Sequence, residues 1–108
     1  MSHYMTQFAY TAETWATLRA NPTDRTATVS ALADKLGCRV IGLYYHFGEY
    51  DGVLIFEAPD DTTANALVMA VTAPGHLKAT RTARLMTPSE VVAAMRKAQG
   101  VEFQAPHR

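Results

Sequence analysis

Two hydrophobic rhythms alternate along this chain, one of period two and one of period 3.6. From His3 to Tyr10 the period is two, with Tyr4, Phe8 and Tyr10 on one face and Met5 and Ala9 on the other, which predicts a short strand. Thr11 then offers a helix N-cap, Glu13 suits the first turn, and Trp15 and Leu18 give an apolar face that Asn21-Pro22 brings to an end. Asp24 is placed to cap a second helix, in which Val29, Leu32, Ala33 and Leu36 recur at i, i+3, i+4 and i+7 before Gly37. Arg39 to Phe47 and Gly52 to Ala58 both read as strands, and the short polar link between them predicts an antiparallel hairpin. Asp60 and Asp61 open a third helix with the stripe Ala64, Leu67, Val68 and Val71, closed by Pro74-Gly75. His76 to Met86 alternates again, with Leu77, Ala79, Ala83 and Leu85 against His76, Lys78, Thr80, Thr82 and Arg84. Thr87-Pro88-Ser89-Glu90 is a capping box with proline at the first helical position, and the helix behind it carries Val91, Val92 and Met95.

The resulting order is strand, helix pair, strand, strand, helix, strand, helix. It predicts an α+β fold of the ferredoxin-like split βαβ kind, with helices on one face of a four-stranded antiparallel sheet. Residues 1–100 form one domain in this reading, and 101–108 a patternless C-terminal tail. Such a sheet should be dry on one face and wet on the other. The segments "VIGLYY" and "VLIF" do not comply, being apolar on both faces. A double row of this kind in adjacent strands makes a patch larger than monomers ordinarily show. The expected cover is a second copy of the sheet, packed face to face or joined into a barrel, so the expected partner is the chain itself as a homodimer or larger homo-oligomer.

Composition narrows the function classes. In 108 residues, ten basic side chains balance ten acidic ones, which removes the broad attraction that nucleic-acid or anionic-membrane binders use. No nucleic-acid or membrane partner is expected, although Lys78, Arg81 and Arg84 make one local basic run. The single cysteine, Cys38, excludes an intrachain disulfide and reads as a small buried apolar residue. The N-terminal "MSHYMTQFAY" has no basic segment followed by a long apolar run, so a cytoplasmic location is expected.

Several stretches together resemble the GYD-domain family. Its Gly-x-Tyr-Asp turn is matched by Gly48, Glu49, Tyr50 and Asp51. "YTAETWATLRANPTDR" is similar to the family's opening, through Tyr10, Thr11, Pro22 and Arg25. "LGCRVIGLYYHFGEYD", "APDDTTANAL" and "LKATRTARLMTPSEV" follow in the family's order, with Cys38 where a second glycine is common. The resemblance covers residues 4 to 98 or so and implies a ferredoxin-like unit of the dimeric α+β barrel type. It implies no single reaction, because related barrels include cofactor-free oxygenases, small isomerases and plain ligand-binding or stress-related proteins.

The candidate site residues are Arg25, Tyr44, His46, Tyr50, Asp51 and His76. The Gly-Glu-Tyr-Asp turn reads first as conformational, with Gly48 supplying a positive φ and Asp51 accepting backbone amides. Read functionally, His46, Tyr50 and Asp51 stand near one strand end, Arg25 offers a counter-charge, and Tyr44, Tyr45, Phe47 and Tyr50 offer aromatic walls. No His-x-His or His-x-x-x-His pair, Gly-x-Gly-x-x-Gly, P-loop or nucleophile elbow occurs, so no metal or cofactor is expected. The pattern points to a non-catalytic small-molecule-binding or accessory protein, its pocket between sheet and helices and its ligand small and apolar or aromatic. The alternatives are a cofactor-independent isomerase or oxygenase, with His46 or His76 as base and Tyr50 or Arg25 stabilising negative charge, and an oligomeric interaction module without a pocket.

Overall fold

The computed structural model describes residues 1–106, so the last two residues of the expected 101–108 tail lie outside the described part. Its strands are β1 (Ser2–Tyr10), β2 (Arg39–Tyr45), β3 (Gly52–Ala58) and β4 (Leu77–Leu85). They form one antiparallel sheet in the order β2-β3-β1-β4. The helices are α1 (Ala12–Ala20), α2 (Thr26–Lys35), α3 (Asp61–Thr72) and α4 (Pro88–Ala98). This is the split βαβ order that the hydrophobic periods predict.

Alternation decides which side of the sheet is dry. Tyr4, Thr6 and Phe8 of β1 are buried, as are Leu54, Phe56 and Ala58 of β3. They meet Ala33 of α2 and Ala64 and Leu67 of α3 in one core, where the rings of Tyr4 and Phe56 stack with centroids 5.4 Å apart. Cys38 is buried in the same core, and burial raises the pKa of its thiol. The opposite face carries the intervening residues, Met5 paired with Ile55 and Tyr44 paired with Val53. Among the described residues no helix covers it. The β2–β3 register shifts between Val40 and Gly42, and the extra residue, Ile41, remains 46% exposed.

The helix ends follow their capping chemistry, with one departure. Thr11, Asp60 and Thr87 each accept an amide hydrogen bond from the third residue after them, and Glu90 Oε1 in turn accepts from the Thr87 amide at 3.0 Å. At α2 the N-cap is Arg25, which makes no side-chain cap bond, rather than the expected Asp24. Asp24 instead accepts from the Thr26 amide at 2.9 Å, so its carboxylate serves the same helix start from one residue further out.

α4 differs from the other helices in having no buried or half-buried residue, and it is tied to the sheet by the ion pair of Glu90 with Arg84 of β4 at 3.7 Å. All of its residues are exposed, Val91, Val92 and Met95 included. The radius of gyration is 17.7 Å, against about 13 Å for a compact domain of this length. An arm, not a loose core, accounts for that excess. Among the described residues no helix is long and apolar enough to cross a membrane.

Candidate functional site

The hairpin turn builds one end of the sheet. Gly48 adopts φ 125°, a conformation open essentially to glycine, and lets the chain return from β2 to β3. The returning chain is tied down at Asp51. Its amide donates to the Phe8 carbonyl at 2.8 Å, and its carbonyl accepts from the His46 amide at 2.9 Å. Its carboxylate Oδ2 accepts from the Tyr10 amide at 2.8 Å and from the Trp15 indole at 3.1 Å. The motif aspartate therefore clasps β1, the hairpin and α1 together.

Above this clasp lies an aromatic cluster. Tyr10 meets Trp15 edge-on at 5.1 Å and Phe8 at 5.4 Å, and its hydroxyl pairs with that of Tyr45 at 2.9 Å. Burial first, and the Tyr45 hydrogen bond second, hold the Tyr10 phenol well above the ordinary tyrosine range, so it stays protonated. The His76 ring lies 6.2 Å from that of Tyr10. Burial, and then the charge of Arg25, lower the pKa of His76 and favour its neutral form.

The cluster closes one end of a cavity of about 50 Å³ between the sheet and the helices. Phe8, Leu54 and Phe56 line it from the sheet, and Val29, Leu67 and Val71 from α2 and α3. Thr6, Tyr10, Arg25, Thr72 and Thr80 are the polar residues on its lining, but the surface they and their neighbours present to it is almost wholly apolar. By comparison, the depression of about 800 Å³ bordered by Trp15, Leu18, Pro22 and Tyr45 is an open surface hollow on the α1 side. Only the inner cavity can strip a ligand of water, so the chemistry is sought there.

Of the six candidate residues, Arg25 lines the cavity and His76 lies beside the Tyr10 ring that lines it. Asp51 sits below the aromatic cluster, its carboxylate engaged as described. His46 borders a shallow outer hollow with Trp15, Phe47 and Asp51, its Nδ1 3.3 Å from the Phe47 carbonyl. Tyr44 stands on the helix-free face, 61% exposed, and Tyr50 is half-buried in the turn. Of the other expected aromatic walls, Tyr45 joins the cluster and Phe47 is fully exposed. Sequence reasoning gave no site role to Tyr10, although its place at the inner end of an alternating strand was the available signal. Among the described residues, no group of three histidine, cysteine, aspartate or glutamate side chains is placed to hold a metal ion.

Sheet order, helix placement and cavity together define a ferredoxin-like α+β domain with its helices on one face. More narrowly, the chain belongs to the GYD-domain family, since the GYD domain profile matches residues 4–95. A comparison with curated proteins finds no match. Among solved structures, the chain is similar to TTHA0845 from Thermus thermophilus, at 15% identity and a TM-score of 0.53 over 81% of this chain and 95% of that one. It is similar to FFRP-DM1 at 16% identity and a TM-score of 0.50, covering 80% of this chain and 100% of that one. A NIPSNAP domain protein from Burkholderia xenovorans matches at 14% identity and a TM-score of 0.50, covering 82% of this chain and 96% of that one. At these identities the likeness is one of fold.

Proposed function

We propose that this chain is a non-catalytic small-molecule-binding protein that acts as a homodimer, with its ligand held between sheet and helices. The observation that carries the binding reading is the partly enclosed, almost wholly apolar cavity between sheet and helices, with Arg25 on its lining. Its size sets the ligand. A dry engineered cavity of about 150 Å³ accepts the six carbons of benzene, so a void one third as large takes about two carbons, and a longer chain or a ring only if α2 and α3 part. The homodimer rests on the exposed apolar residues of the helix-free face and on the unpacked stripe of α4.

Xenon tests the cavity directly, because it enters apolar voids and shifts the NMR signals of the methyl groups around it. Shifts confined to Val29, Leu67 and Val71, and abolished by Val71→Phe, are the expected result. A chain whose methyl signals do not respond to xenon has no usable cavity, and the binding reading then fails.

A second reading draws on His76. A neutral imidazole beside the cavity is a competent general base, as a cofactor-independent isomerase requires. It predicts proton exchange at an activated C–H of a bound ketone, lost in His76→Gln. Exchange unaltered by that substitution removes it.

A further inference from the structure

Arg25 is the one cavity-lining residue that carries a full charge at every physiological pH. Among the described residues its guanidinium makes no ion pair. The carboxylates closest to it along the chain and in the cluster are already engaged. Asp24 accepts from the Thr26 amide, and Asp51 accepts from the Tyr10 amide and the Trp15 indole. Tyr10 and His76, two groups that feel the Arg25 charge, both favour their uncharged forms and so do not neutralise it. The guanidinium nitrogens are not buried, so water is their partner in the free chain and the planar edge is open to an anion arriving at the cavity.

We infer that the cavity takes a small apolar molecule bearing a single anionic group, with the Arg25 guanidinium as its counter-ion and the valine-lined interior holding its hydrocarbon part. The inference rests on the cavity reading given above and adds the ligand's chemical class. A carboxylate fits the planar fork of Arg25 in two parallel hydrogen bonds, which a neutral amide of the same shape cannot reproduce with the same charge assistance. At one third of the volume that accepts the six carbons of benzene, the cavity admits about two carbons, so the hydrocarbon part is short and the carboxylate stays at the Arg25 side.

The test compares propanoate with propanamide, two probes of nearly equal shape, by NMR titration of the full chain at one pH and salt concentration. The acid is expected to bind roughly tenfold to a hundredfold more tightly than the amide, as expected for a hydrogen bond to a charged group. Arg25→Gln should erase that preference while leaving amide binding in place, and Arg25→Lys should restore part of it. Equal binding of acid and amide, or a preference that survives Arg25→Gln, overturns the anion inference. Xenon entry would then still uphold the cavity. Absence of both xenon entry and probe binding overturns the cavity reading and this inference with it. Should Arg25→Gln fail to fold, the acid–amide comparison in the unaltered chain decides alone.

Discussion

Asp51 takes its two side-chain hydrogen bonds from groups 41 and 36 positions earlier in the chain. Replacing it with alanine leaves the buried Tyr10 amide without an acceptor, which costs about 1–3 kcal/mol. Urea unfolding of Asp51→Ala should show that loss as a lower midpoint at unchanged slope. Gly52 is constrained in a different way. A methyl group there would strike Phe8 Cζ and lie 2.8 Å from the Tyr44 carbonyl oxygen, and a backbone atom cannot step aside. Gly52→Ala should therefore destabilise by about 1–3 kcal/mol in thermal melts. At Gly42 the same methyl meets only the exposed Tyr44 ring, which can swing away, so Gly42→Ala should cost much less. His76 gives a pH signature. Its folded pKa lies below the ordinary value of about 6.5, so the unfolded chain binds the extra proton more readily. The stability due to its neutral form is complete above about pH 6.5 and is lost as pH falls toward the lowered folded value. His76→Gln should flatten that part of the stability–pH curve relative to the unaltered chain.

Among the elements, α4 is the one whose stability can be separated from the rest. It has a complete capping box and buries none of its residues against the rest of the fold. Thr87→Ala should remove about 1 kcal/mol from α4 alone. Hydrogen exchange would register this as faster exchange at 91–98, with the amides of β1 and β3 unchanged. Element identity was legible in the sequence because each period of two or 3.6 runs long enough to outvote local propensity, and caps such as Thr87 and Asp60 mark their own helices. The start of α2 was less legible, since Asp24 can serve the first amides of that helix either as its cap or from one residue before it. The cavity was legible only as a location between sheet and helices. Its walls come from Phe8, Val29, Leu54 and Val71, residues that no local spacing relates and only the completed fold brings together. The polar turn is the reverse case, conspicuous in sequence yet committed in space to backbone partners. Asp51 was readable as an acceptor of amides, but nothing in its neighbourhood named Tyr10 or Trp15.

For the whole molecule, the helix-free face sets the expected behaviour in solution. Ile41 and Tyr44 expose 46% and 61% of their surface there, next to Val53 and Ile55 in adjacent β3. Ile41→Lys places an ammonium group where a second sheet would exclude water. It should weaken self-association by about two orders of magnitude, which sedimentation equilibrium would read as a shift from two protomers to one. A substituted chain that still sediments as the unaltered one does would place the contact elsewhere.

The margins of the sheet also limit how far such association can run. At one side β2 is kinked by its extra residue, and at the other β4 lines up Lys78, Arg81 and Arg84, so neither rim invites another strand. Helices cover one broad side, so in the proposed dimer the two open faces are spent on each other. The stripe of α4 is then the further surface from which growth into ribbons or fibres would have to proceed.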